Sequence, residues 1–110
     1  MNLPEVAQQQ TLPSMINFKD KVYKFAQKIP KGQVATYKSV AVAVGSLRAS
    51  RGVAMVLSKN FDPKIPCHRV VRSDGFVGGY NRGGSVKKAK LLRSEGVLVA
   101  GLKVNSKSFI

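Results

Sequence analysis

Between Asn17 and Pro30 the apolar residues Phe18, Val22, Phe25 and Ile29 recur every three or four positions. That period predicts an amphipathic helix, with Asn17 as its N-cap and Pro30 as its stop. Lys31-Gly32 then reads as a turn, and Gln33 to Thr36 as a short extended connection. From Tyr37 to Val44 the run Val40, Ala41, Val42, Ala43 and Val44 predicts a short packed helix. Gly45 closes it, as the residue best suited to a left-handed C-terminal cap. Ser46 is expected to cap a second helix with Leu47, Val53, Ala54, Val56 and Leu57 on its apolar side. Arg48, Arg51 and Lys59 lie among them. A short helix, a Gly turn and a second, basic helix outline a helix-turn-helix, a pattern that many helical proteins share.

Asp62-Pro63 and Ile65-Pro66 mark Asn60 to Pro66 as loop. Val70 to Val77, centred on Asp74-Gly75, predicts a tight β-hairpin. Gly78, Gly79, Gly83 and Gly84 surround Tyr80, Asn81 and Arg82, a loop that lets backbone approach a ligand closely. Ser85 is expected to cap a last helix, with Val86, Ala89 and Leu92 inward and Lys87, Lys88 and Lys90 among them, ending at Gly96. Residues 1–16, with Gln8, Gln9 and Gln10 and no apolar period, read as an N-terminal tail or linker. Residues 17–104 form one domain on this reading, and 105–110 a C-terminal tail.

Charge changes the picture more than length does. The 110 residues carry 19 Lys and Arg against 5 Asp and Glu, a formal net charge of +14. So much positive charge on so small a surface calls for an acidic partner. Nucleic acid leads, with an anionic membrane face or an acidic protein behind it. One Cys excludes an intrachain disulfide and a multi-cysteine zinc site, so no metal and no cofactor are expected. No apolar run approaches the roughly 18 residues of a membrane span. The expectation is a monomer acting inside the cell, without a membrane partner.

The chain's one Cys, Cys67, stands beside its one His, His68. A thiol attacks as thiolate and so benefits from a base or a positive field nearby. Adjacent side chains diverge, which argues against a direct thiol–imidazole bond and for a bridging water. The imidazole would in turn need an orienting carboxylate, for which Glu95 is the candidate. On these residues alone, a buried inert thiol is the commoner fate of a lone Cys.

The neighbouring motifs weigh against inertness. Ile65-Pro66-Cys67-His68-Arg69-Val70-Val71 resembles the active-site motif of the O6-alkylguanine-DNA alkyltransferases, the methylated-DNA–protein-cysteine methyltransferases. Gly32-Gln33-Val34-Ala35-Thr36-Tyr37 is similar to the segment that opens that family's helix-turn-helix. Arg48-Ala49-Ser50-Arg51-Gly52-Val53-Ala54 is similar to the start of its recognition helix. Gly75 to Tyr80 and Leu91 to Gly96 resemble its two later motifs, in the right order. The resemblance runs from about Phe18 to Gly96. Most of the family carries a domain ahead of this one, for which the first 17 residues are too short.

The resemblance implies a mostly α fold with a small β-hairpin, a winged helix-turn-helix-like alkyltransferase C-terminal domain. It also implies DNA repair by direct reversal. Double-stranded DNA containing alkylated guanine would be bound, the base flipped out, and its O6-alkyl group moved once, irreversibly, to Cys67. Thymine O4 is a possible second target. His68 would be base through a water, with Glu95 orienting it, Asn60 holding the Cys loop, and Tyr37 rotating the base and supplying a proton. Arg51 would fill the gap in the stack, among DNA contacts from Arg48, Ala49, Ser50 and Tyr37. In the pocket, the backbone carbonyls of Cys67 and Val70 would accept from the guanine amine, and the backbone of Gly79, Tyr80 and Asn81 would line the wall. The alternative it offers is an alkyltransferase-like protein that binds the lesion without chemistry and recruits other factors.

Overall fold

A computed structural model describes residues 18–110; the expected N-cap Asn17 and the 1–16 segment lie outside the described residues. Helix α1 covers residues 18–27 and buries Val22 and Ala26, with Ile29 buried just past its end. Its end tightens through bonds from Lys28 N to Phe25 O and from Ile29 N to Ala26 O, and Pro30 then starts a turn. In that turn Gly32 takes φ +93°, and a Cβ there would stand 3.3 Å from the Glu95 carbonyl oxygen. The turn therefore lies against the helix end that carries Glu95.

Strand β1 (Ala35–Thr36) leads directly into α2 (Tyr37–Ala43). Thr36 caps α2 with its hydroxyl on Ser39 N, and Ser39 Oγ accepts from Thr36 N in return. This reciprocal box satisfies two of the donors that a helix start leaves open. Bonds from Gly45 N to Val42 O and from Ser46 N to Ala41 O end α2, with Gly45 at φ +84°. Ser46 is thus spent on closing α2 and does not cap the next helix. Helix α3 (Ser50–Ser58) has Ala49 at its N-cap, without a side-chain bond. Val53 and Leu57 are its buried residues, and Leu47 lies outside it, exposed.

A 3₁₀ turn at Cys67–Arg69 feeds β2 (Val70–Val71), which pairs in parallel with β1 (Ala35 with Val70, Thr36 with Val71). Because successive strand residues face opposite ways, this seam divides two cores. Ala35 and Val70 enter one core with Cys67 and the buried faces of α1–α3. Val34 and Val71 enter the other, with Val77, Ala89, Leu92, Val97 and Val104.

The hairpin expected over Val70–Val77 is corrected by this arrangement. Its turn exists, with Arg72 N on Phe76 O and the Asp74 carboxylate on Phe76 N, but its arms separate. Val70 and Val71 are fully buried, so their strand pairs between the cores instead of on the surface. Phe76 bridges instead to Lys103, in the antiparallel pair of β3 (Val99–Ala100) and β4 (Lys103–Val104). Helix α4 (Gly84–Ser94) lies between these pieces with Gly83 at its N-cap. Ser85 is inside the helix, donating to Gly78 O at 2.6 Å, and Val86 faces solvent. Residues 105–110, read as a tail, pack in place: Phe109 bridges to Val34, and Ile110 N donates to Val34 O. The fold is mostly helical with small strand pairs. Among the described residues no helix is long and apolar enough to cross a membrane.

Candidate active site

The parallel seam brings the start of α2 beside the turn that presents Cys67, so Tyr37 and Cys67 share one cavity. Its volume is about 360 Å³. Tyr37, Cys67, Gly79, Tyr80 and Asn81 line it, joined by Ala54, Leu57 and Ser58 of α3 and by Lys88 of α4. Cys67 is 7% exposed. The 3₁₀ turn holds it through Arg69 N on Pro66 O, and Cys67 N itself donates to Ile65 O.

Asn60, buried at the end of α3, organises the loop that enters this turn. Its Nδ2 donates to Asp62 O and Ile65 O, and its Oδ1 accepts from Asp62 N. Asn81 ties the opposite wall to the same point, donating through Nδ2 to Ser58 O and Asn60 O. Thus Asn60 supports the Cys67 loop and is itself braced by the glycine-rich loop.

Behind the cavity His68 and Glu95 meet at 2.9 Å, Nε2 to Oε2. Burial pushes the imidazole pKa down and the Glu95 contact opposes this, leaving it below the ordinary histidine value. Burial pushes the Glu95 carboxyl up, but hydrogen bonds from Arg69 and His68 outweigh that and hold it below the usual carboxylate range. An ionised carboxylate only accepts, so Nε2 carries the proton and Nδ1 is left as the ring's acceptor. A neutral, oriented imidazole with a free acceptor suits a general base near neutral pH.

Two of these neighbours escape a reading of the sequence. Arg69 grips Glu95 with two parallel bonds of 2.9 Å and donates to Ile29 O at 2.8 Å. Lys88 is 1% exposed, and its Nζ reaches Val70 O at 2.8 Å, Gly79 O at 3.2 Å and the Tyr37 hydroxyl at 3.3 Å. A signal for Lys88 exists: it falls in the inward stripe Ser85, Lys88, Ala89, Leu92, where a charged residue is out of place. The Val70 side chain belongs to the core, and its backbone carbonyl, the group expected to face the base, accepts from Lys88 Nζ at 2.8 Å.

Apart from Tyr37, the expected DNA-contact residues sit outside the cavity. Arg48 and Arg51 are exposed and Ala49 and Ser50 half-buried at the start of α3. Arg51 precedes Ala54 and Ser58 by three and seven positions, so it shares their helix face, one turn ahead of the cavity wall. Beside it a groove is lined by Tyr37, Lys38, Ser50, Arg72, Ser73 and Asp74. Among the described residues no cluster of His, Cys, Asp and Glu could hold a metal ion.

A methylated-DNA–protein-cysteine methyltransferase of Metallosphaera sedula is 48% identical over 84 residues, covering 76% of this chain and 51% of that protein. A bifunctional methyltransferase/endonuclease of Picrophilus torridus is 37% identical over 89 residues, covering 80% and 30%. The chain thus spans about half or less of the length of these curated relatives. Among solved structures, S. pombe Atl1 in complex with damaged DNA containing O6-carboxymethylguanine has a TM-score of 0.67 at 28% identity, covering 79% of this chain and 84% of that one. Mycobacterium tuberculosis OGT in complex with DNA has a TM-score of 0.67 at 34% identity, covering 71% and 48%. Residues 17–97 match the family described as 6-O-methylguanine DNA methyltransferase, DNA binding domain. With three-quarters of its length inside that match, its Cys at the cavity and the His68–Glu95 pair behind it, the chain belongs to this family.

Proposed function

We propose that the chain repairs DNA by moving the alkyl group of an O6-alkylguanine onto Cys67, once per molecule. The observation that carries the reading is the cavity. It places a thiol against a chamber walled by the helix that would face DNA, with an oriented imidazole–carboxylate pair behind it. A base inside a duplex exposes neither its O6-alkyl carbon nor room for in-line attack, so the nucleotide must leave the stack and enter such a chamber.

The roles follow from position. His68 takes the Cys67 proton through a water, and Glu95 stabilises the imidazolium that forms. The thiolate attacks the alkyl carbon, the carbon–O6 bond breaks, and Tyr37 gives a proton to the purine. Asn60 holds the Cys67 loop, while Gly79, Tyr80 and Asn81 bound the flipped base. Arg51 takes the vacated place in the stack, with Arg48, Ala49 and Ser50 on the DNA backbone. The thioether product does not hydrolyse under mild conditions, so the acceptor is consumed. The partner is DNA, which places the protein wherever DNA is exposed to alkylation.

Intact-mass analysis after incubation with an oligonucleotide containing O6-methylguanine tests this. One added methyl, mapped to Cys67 and absent from Cys67→Ala, is the expected result. Tight lesion binding with no mass change would replace the transfer reading with a binding-only role. Equal affinity for damaged and undamaged duplex, with no transfer, would remove both.

A further inference from the structure

We infer that the lysine face of α1 is a second binding surface for DNA, which holds the backbone of a further duplex segment while the start of α3 faces the first. The inference rests on DNA as the partner, goes beyond the reading above by adding a separate surface, and uses nothing of the transfer to Cys67.

Residues 18–31 carry Lys19, Lys21, Lys24, Lys28 and Lys31 against a single acid, Asp20, and all six are exposed. Lys21, Lys24 and Lys28 follow one another by three and four positions, which keeps them on one side of the helix and its closing turn. With Phe25, and with Ala43 and Val44 from the end of α2, they line a groove of about 220 Å³. Half-buried Phe25 gives the lysine stems an apolar bed and leaves their ammonium groups to the solvent side. Asp20 does pair with Lys24 at 3.3 Å, but both side chains are more than half exposed, so water and salt weaken the pair. Among the described residues Lys21 and Lys28 meet no carboxylate.

This stripe lies apart from the face already assigned to DNA. Lys38 and Ala43 are five residues apart on α2, about 140° around its axis at 3.6 residues per turn. Lys38 borders the groove with Ser50 and Arg72 on one flank of α2, and Ala43 borders the lysine groove on another. A duplex laid along the first flank leaves the second open. Charge and spacing then set what fits there. From Lys21 to Lys28 the rise is about 10 Å, a length over which one strand of a duplex presents about three phosphates. Lysines meet phosphates as point charges and read no base, so the second segment needs no lesion and no sequence. An anionic bilayer is the competing polyanion, but no large exposed apolar side chain lines this groove to enter one. The surface has a use in searching: a chain holding two segments at once can pass from one to the other without release into solvent.

Exchange between undamaged duplexes tests this. The chain is loaded on a short fluorescent duplex, and release of the label is followed at rising concentrations of the same duplex without label. In the wild type the release rate should climb in proportion to the competitor, because the second duplex binds before the first leaves. The competitor-dependent part should fall with salt with a log–log slope of about 2.7, or 0.9 for each of three phosphates. In the triple variant Lys21→Gln, Lys24→Gln, Lys28→Gln, release should match that on simple dilution at every competitor concentration. Its affinity and salt slope for the first duplex should stay as in the wild type. A control, Lys87→Gln, Lys90→Gln, Lys107→Gln, removes the same charge from exposed lysines elsewhere and should keep the competitor dependence. Wild-type release that ignores competitor would overturn the inference without any variant. Equal loss in the control would overturn it in favour of net charge. A lower slope for the first duplex in the α1 variant would also overturn it, since the stripe would then belong to the first footprint. Binding to phosphatidylserine vesicles that needs the three lysines, with no competitor effect from DNA, would give the face to a membrane instead. No arm measures methyl transfer, so a chain that fails to methylate itself loses the transfer reading and leaves this result standing.

Discussion

Arg69 and Glu95 share a nearly dry site: their side chains are 14% and 9% exposed, and Arg69 covers both carboxylate oxygens. A bidentate pair so placed is costly to break from one side, because the remaining charge stays buried and unmatched. We expect Arg69→Met to lose about 3 kcal/mol at pH 7, measured by chemical denaturation. The same change should act on the chemistry in a direction a mere loss of packing would not. Arg69 lowers the His68 pKa, so its removal leaves Glu95 to favour the imidazolium more strongly. The acid limb of the transfer rate should then shift to higher pH. An unmoved limb with reduced stability would make Arg69 only a brace. The pH sign of stability follows from the same groups. His68 and Glu95 both have folded values below their unfolded ones, so what they contribute is full above about pH 6.5 and fades as pH falls below it. Cys67, His68, Asn60 and Glu95 are legible in the sequence because short motifs carry them in order. Arg69 is not, since it reads only as a flank of the Cys motif, and Lys88 is marked only by its place on the inward face of α4 between exposed lysines. What assigns their partners is which elements meet, and no local pattern holds that.

At the scale of elements, the helices of the first half are legible because their stops are chemical. Pro30 ends one period and Gly45 another, and the structure uses both. Gly45 allows a clean measurement, since at φ +84° a Cβ would find nothing within 4 Å. Gly45→Ala should therefore cost only the backbone strain of a left-handed alanine, about 1 kcal/mol in the denaturation midpoint analysis. Gly45→Asn should recover much of it, because Asn visits that conformation more easily. A loss several times larger in both variants would mean that the α2–α3 turn has contacts beyond its cap. The elements of the second half are less legible. Asp74-Gly75 does make a turn, but the partners of its arms come from residues 35–36 and from 103, and nothing within an eight-residue window specifies them. Ser85 resembles a cap by type, yet its hydroxyl is drawn to Gly78 O across the loop. Val86 reads as core by period, and the inward place belongs to Lys88.

For the whole molecule, the net charge of +14 predicts strong, salt-dependent attraction to DNA without saying which lysines and arginines deliver it. The start of α3 allows that sum to be divided. A side chain that neutralises one phosphate contributes about 0.9 to the slope of log affinity against log salt, whereas one that enters the base stack contributes little. Arg48, exposed and ahead of the helix, is expected to act in the first way. Arg48→Ala should lower the slope by about one, weaken damaged and undamaged duplex alike, and leave single-turnover transfer at saturating DNA unchanged. Arg51, on the cavity-side face of α3, is expected to act in the second. Arg51→Ala should leave the slope nearly intact and slow transfer from duplex far more than transfer from free O6-methylguanine, which has no stack to leave. The two measurements cross-check each other. If Arg51→Ala lowers the slope as Arg48→Ala does and slows both substrates equally, Arg51 is a phosphate contact and some other side chain must offset the loss of stacking. If the predicted pattern holds, the charge brings the duplex to the face of α3, and the chemistry begins only where one arginine on that face displaces a base toward Cys67.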